Sequence, residues 1–244
     1  MNGTTVGIIY PGHAAEDEYP AAARLLGVDL PVAHVHGTDL HAVAELVDLG
    51  NPQRLAEGAA ALAAHRPQAV MWACTSGSFV LGPDGARAQT EALSRAAGVP
   101  AASTSQSFVA ALAALGVARV AVAASYPRDI ADLFAAYLTA AGVEVVATSS
   151  AGIATGALVG ELDPDQVRRL VTTHDHAAAE AVLVPDTAMR TLDLVAELET
   201  ELGKPVLTAN QVTVWHGLRL AGAGPVAPRL GTLFSTRRQD HADQ

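Results

Sequence analysis

The sequence of 244 residues contains a single cysteine, Cys74. One thiol closes no disulfide within the chain, so burial must hold the fold, and a reducing, cytoplasmic setting is expected. Basic residues are also scarce: 15 Lys and Arg stand against 25 Asp and Glu, a formal net charge of −10. Nucleic acid and anionic membranes reward basic patches, so neither is an expected partner. A small anionic substrate is still compatible, because a buried site can bind it through backbone N–H groups and hydroxyls. Aromatics make up only 4%, which predicts closely packed, alanine-rich helices rather than a core built on large rings. No apolar run reaches the roughly 20 residues of a membrane span without polar interruption. Met1-Asn2-Gly3-Thr4-Thr5 lacks the basic segment that opens a signal peptide. No phosphate-loop or dinucleotide glycine fingerprint follows the first apolar run, where Tyr10-Pro11-Gly12-His13 stands instead. No cofactor is therefore expected.

Half of the residues are hydrophobic and 16% are charged, which suits a well-filled globular core. Short runs rich in β-branched residues read as strands at Thr5–Tyr10, Pro31–His36, Ala69–Ala73, Ala101–Thr104, Arg119–Ala124, Glu144–Thr148, Ala181–Val184 and Val206–Thr208. Helical stretches between them include Pro52–His65, Ala86–Ala97, Ile130–Ala141, Pro164–His176 and Thr191–Leu202. Glycine stands where a helix stop needs it, at Gly98, Gly142 and Gly203. The alternation predicts βαβ units and parallel sheets.

The chain also repeats itself. Tyr10-Pro11 ends the first strand and Tyr126-Pro127 the fifth; Cys74-Thr75-Ser76 ends the third and Asp186-Thr187-Ala188 the seventh. Gly98-Val99-Pro100 followed by Gln106 is echoed by Gly203-Lys204-Pro205 followed by Gln211. The expected fold is therefore α/β, with two similar lobes, each a four-stranded parallel sheet flanked by helices, related by a pseudo-twofold axis. Residues 1–108 plus 215–244 form the first lobe, carrying Cys74, and 109–214 the second, carrying Asp186. Parallel sheets bind ligands beyond the carboxyl ends of their strands, so two facing halves enclose one site.

Cys74 precedes Thr75-Ser76-Gly77-Ser78. A helix or turn starting there aims N–H groups at the sulfur and would lower the thiol pKa toward neutrality; the alternative is an inert core cysteine. Asp186 is either a helix N-cap or a proton-transfer group facing Cys74 across the cleft. The Tyr126 hydroxyl either donates to a substrate oxygen or leaves the ring simply packed. Thr75, Ser76 and Thr187 offer hydroxyls for a carboxylate, or caps for their own segments. Pro11 and His13 belong to the first loop and complete the expected binding set. The pairs His34/His36 and His174/His176 have no third ligand nearby in sequence, so no metal is expected. Glu16-Asp17-Glu18 reads as a solvated helix start in which one carboxylate can hold a first-loop partner.

These motifs resemble the maleate cis-trans isomerase and arylmalonate decarboxylase branch of the aspartate/glutamate racemase superfamily. Ala73-Cys74-Thr75-Ser76-Gly77-Ser78 is similar to the first catalytic-cysteine loop of the isomerases, and Asp186-Thr187-Ala188-Met189-Arg190-Thr191-Leu192 to their second, with the cysteine replaced. Ala114–Ala123, Arg219-Leu220-Ala221-Gly222 and Gly231-Thr232-Leu233-Phe234 are similar to the decarboxylases. The resemblance implies that Thr75, Ser76 and Tyr126 bind a carboxylate with help from N–H groups of the second loop. It also implies that Cys74 is the nucleophile and that Asp186 takes the proton donor's place. In the decarboxylases a small residue occupies the first position and cysteine the second. The expected activity is cofactor-independent isomerisation of a small dicarboxylate. Racemisation or epimerisation, malonate decarboxylation and non-catalytic dicarboxylate binding are the alternatives, and homo-oligomer formation is left open.

Overall fold

The computed structural model describes residues 3–235; the first two residues and the expected first-lobe tail 236–244 lie outside them. Strands β1 (Val6–Pro11), β2 (Val32–Val35), β3 (Ala69–Trp72) and β4 (Ala101–Ser103) form one sheet in the order β2-β1-β3-β4. Strands β5 (Arg119–Ala124), β6 (Glu144–Ser150), β7 (Ala181–Val184) and β8 (Val206–Thr208) form a second, in the order β6-β5-β7-β8. Every pairing is parallel. Adding four to each strand number turns one order into the other, as the repeat requires. The inner strands β3 and β7 are buried at every position, because helices cover both faces of a parallel sheet.

The first half carries α1 (Glu18–Leu26), α2 (Val43–Leu49), α3 (Pro52–Leu62), α4 (Ser76–Phe79), α5 (Gly82–Ala97) and α6 (Thr104–Leu115). The second carries α7 (Arg128–Ala140), α8 (Gly156–Gly160), α9 (Pro164–Thr173), α10 (Val195–Leu202) and α11 (Ala209–Leu220). Gln106 and Gln211 have a physical role: Gln106 closes a capping box with Ser103 that starts α6, and Gln211 Oε1 accepts the Thr208 N–H at 3.0 Å where α11 starts. Helix α11 returns to the first sheet, and Gly217 is required there: a Cβ at that position would sit 2.6 Å from Val6 and 2.9 Å from Met71. Among the described residues no helix is long and apolar enough to cross a membrane.

The scarcity of aromatics does not keep rings out of the core. All four phenylalanines and all four tyrosines lie in one cluster shared by both lobes. Phe79 of α4 meets Phe134 of α7 at 5.2 Å between ring centroids, and Phe134 meets Phe108 at 5.5 Å. Trp72 stands apart, in a smaller cluster of the first lobe with Ile9, Leu55 and Leu62.

A polar seam crosses the same junction. Glu18, buried in α1, accepts hydrogen bonds from the Thr191 N–H at 2.5 Å, the Leu192 N–H at 2.7 Å and Asn210 Nδ2 at 2.7 Å. Tyr19 donates to Asn210 Oδ1 at 2.8 Å. This corrects the reading of the acidic run as solvated: its third carboxylate is an interior acceptor. Glu18→Ala leaves the two backbone N–H groups unpaired in a dry seam, at about 1–3 kcal/mol each. Chemical denaturation should show a loss of at least about 2 kcal/mol, with Glu18→Gln intermediate. An unchanged midpoint for the alanine variant would show that this seam does not hold the lobes.

Candidate active site

Cys74 follows β3, where the chain turns at once into α4. It is buried, with the Gly77 N–H 3.3 Å from Sγ and Ser76 Oγ at 3.8 Å. Glycine at 77 is set by close approach: a Cβ there would lie 3.1 Å from the sulfur and 3.1 Å from the Trp72 ring. The expected N–H is in place, yet the expected fall in thiol pKa does not follow. Burial outweighs it, the charge of Asp186 adds to the effect, and the thiol is pushed up to about 11.

Asp186 stands just beyond β7, and no helix begins there, so it is not a helix N-cap. Its Oδ2 accepts from Ser125 Oγ at 2.5 Å, and its Oδ1 from the Ala188 N–H at 2.9 Å. The Thr187 carbonyl is held away by two donors, the Tyr10 hydroxyl at 2.8 Å and Asn210 Nδ2 at 3.0 Å. His41 approaches from the loop after β2. Its Nδ1 donates to the Ile153 carbonyl at 3.0 Å, and its Nε2 lies 3.9 Å from Asp186 Oδ2, beyond hydrogen-bond reach.

A cavity of about 460 Å³ brings together Cys74, Ser76, Asp186, Thr187, Pro11 and His13 of the expected set. Tyr10, His41, Leu46 and Leu49 share its wall. The loop 37–42 reaches the other lobe to close one side: the His41 N–H donates to Ala154 O at 2.7 Å and the Gly156 N–H to Asp39 O at 2.9 Å. Asp39, Glu161 and Asp186 line the cavity, and among the described residues around it there is no lysine or arginine.

Thr75 and Tyr126 fall behind this wall and not on it. The Tyr126 hydroxyl, expected to donate to a substrate oxygen, donates here to the Pro185 carbonyl at 2.8 Å. Thr75 Oγ1 is buried with no hydrogen-bond partner. The second-loop Ala188 N–H, expected to help hold a carboxylate, is taken by Asp186.

Contrary to the expectation from sequence spacing, one histidine of these pairs does meet further candidate ligands in the fold. The fold places His34 against Glu16, and His13 Nδ1 lies 3.1 Å from the same carboxylate oxygen. The ligand atoms of His13, Glu16 and His34 all lie within 4.8 Å of one another, the one such trio among the described residues. His36, His174 and His176 remain exposed and apart from it. Sequence reasoning missed His41, Ser125 and the Tyr10 hydroxyl. Only Tyr10 carried a signal, as the repeat partner of Tyr126.

The family model for arylmalonate decarboxylase matches residues 6–234. Arylmalonate decarboxylase of Bordetella bronchiseptica is 31% identical over 240 residues, spanning 94% of this chain and 96% of its own. Maleate isomerase of Geobacillus stearothermophilus is 28% identical over 137 residues, 56% of this chain and 55% of its own. In fold, the chain superposes on a maleate isomerase variant from Pseudomonas putida S16, solved with maleate, at a TM-score of 0.88 and 22% identity, over 95% of this chain and 97% of that one. A match across almost the whole chain carries the assignment: this protein belongs to the arylmalonate decarboxylase family.

Proposed function

We propose that the protein releases carbon dioxide from a substituted malonate and that Cys74 protonates the carbanion left behind. The observation that carries this reading is the thiol itself: buried and pushed up to about 11, it is an acid at neutral pH and not a ready nucleophile. Loss of carbon dioxide leaves the bonding electron pair in the enediolate of the remaining carboxylate. The Cys74 S–H proton goes to the α-carbon, and solvent restores the thiol. Ser76 and Thr187 hold the retained carboxylate, with Thr75 and Tyr126 supporting them from behind. Asp186, on the facing wall, disfavours the charge of the carboxylate that departs as neutral gas. The cavity, at about 460 Å³ with Pro11, Leu46 and Leu49 in its lining, has room for an apolar substituent that a four-carbon diacid lacks. Similarity to a decarboxylase over 94% of the chain supports the same reading.

A second reading is isomerisation of a maleate-like dicarboxylate. Here Cys74 thiolate adds to the alkene, the new single bond rotates, elimination gives the trans product, and Asp186 serves as proton donor. The likeness of the Cys74 loop to the first cysteine loop of maleate isomerases favours it.

The two readings make opposite demands on the sulfur. Under decarboxylation, kcat should stay level through neutral pH and fall as the pH approaches about 11, where the thiol ionises. Under isomerisation it should rise with pH over the same range, about tenfold per unit while the thiolate is the minor form. Carbon dioxide release from aryl- and alkyl-substituted malonates in deuterated buffer tests the reaction directly, with one solvent deuteron expected at the α-carbon. Maleate turnover without carbon dioxide release from any malonate would sink the first reading and leave the second. Cys74→Ser should lower turnover by about 10²–10⁴-fold, the contribution of a positioned proton donor. Full activity in that variant would remove Cys74 from both mechanisms.

A further inference from the structure

We propose that His13, Glu16 and His34 bind a divalent transition-metal ion at the rim of the cavity. Two segments supply the ligands: the loop between β1 and α1, which carries His13 and Glu16 three residues apart, and β2, which carries His34. Their ligand atoms, His13 Nδ1, Glu16 Oε2 and His34 Nε2, converge within 4.8 Å. The two imidazole rings lie 4.2 Å apart between centroids, tilted by 40°, on either side of one carboxylate oxygen. Two imidazole nitrogens with one carboxylate are a borderline donor set, suited to zinc, nickel or cobalt and poor for magnesium or calcium. Zinc–ligand bonds of about 2.0–2.2 Å are within reach of modest side-chain rotations from this spacing. Three protein ligands leave at least one position open for water or a substrate oxygen.

The neighbours in the acidic run leave Glu16 free for this task. Asp17 is paired with Arg190, and Glu18 is consumed by the interlobe seam. Access is open, since the His13 side chain is 69% exposed and that of Glu16 35%. Of the three ligands His13 also lines the cavity, so the site adjoins it. Asp39, Glu161 and Asp186 face that space, and among the described lining residues there is no lysine or arginine. A dicarboxylate entering it meets like charge, and a divalent ion at the rim supplies the opposite sign. This countercharge role rests on the dicarboxylate reading; the metal site itself does not.

Tag-free, chelator-treated protein with Cys74→Ser, which removes the thiol as a competing ligand, is titrated with Zn²⁺ by calorimetry and with Co²⁺ by visible absorption. One ion per chain is expected, with d–d bands of low-coordinate cobalt. Affinity should weaken at least about tenfold when His34→Ala or Glu16→Gln is added, while circular dichroism stays unchanged. Binding no tighter than about millimolar, or equal affinity in both ligand variants, would overturn the site. Malonate binding to the same protein is then compared with and without Zn²⁺, and tighter binding with the ion is expected. Malonate affinity unchanged by bound zinc would overturn the countercharge role and leave the site standing. Malonate that binds in neither state would instead count against the dicarboxylate reading.

Discussion

The Glu18 carboxylate is the hinge pin of this structure. It leaves one lobe, enters the other and accepts three N–H donors there, two from the backbone beyond β7 and one from Asn210. Asn210 passes the constraint on by donating to the Thr187 carbonyl, which also accepts from the Tyr10 hydroxyl. The loop carrying Asp186 is thus fixed by groups of the opposite lobe and of α11, and not by its own short turn. Burial pushes the Glu18 carboxyl up to about 7, while Asn210 and the Leu192 and Thr191 N–H groups pull the other way. A shift of one lobe against the other would break several buried hydrogen bonds together, so the two walls of the cavity are held as one rigid frame.

Burial also sets the state of the thiol and the tyrosines around the cavity. The Gly77 N–H that points at Sγ would activate a solvated thiol; in this position it only softens the cost of a buried anion. The same desolvation raises Tyr10 and Tyr126, both of which feel the charge of Asp186 as well. Their hydroxyls remain neutral donors, and both donate to carbonyls of the second loop. A neutral thiol faces a carboxylate across a space whose tyrosines are already engaged in holding its wall.

Much of this was legible in the sequence because it is local. All eight strands lie where short apolar runs place them, and the paired motifs at Cys74 and Asp186 fall at matching strand ends. Gln106 and Gln211 were visible as echoes; their capping function became clear only with the helices they start. What escaped depends on contacts far apart in the chain. Nothing around Glu18 announces an acceptor for N–H groups 173 and 174 residues away. His34 finds its partners through the pairing of β1 with β2, which sequence spacing cannot reveal. The thiol's pKa was misjudged for a related reason: an N–H aimed at sulfur is a local feature, whereas the burial that outweighs it is tertiary.

The duplicated scaffold sets unlike side chains at equivalent strand ends, and so yields two unlike walls. In each half the chain leaves a buried inner strand and turns so that a backbone N–H reaches the side chain at its end, Gly77 to Cys74 and Ala188 to Asp186. On the first wall that single N–H meets a large, weakly accepting sulfur, and burial keeps the proton in place. On the second it meets a carboxylate that gains a further donor from Ser125. The repeat supplies equivalent strand ends, and the side chain decides what stands there, a buried thiol on one wall and a hydrogen-bonded carboxyl group on the other. Under the decarboxylation proposed above, a proton donor opposite a carboxyl group is an asymmetric device, suited to a reaction in which one carboxylate departs and one face of the α-carbon is protonated. Two cysteines on the same frame would lack that polarity. On that proposal the asymmetry between Cys74 and Asp186 directs the reaction, and the shared frame makes it act at one carbon.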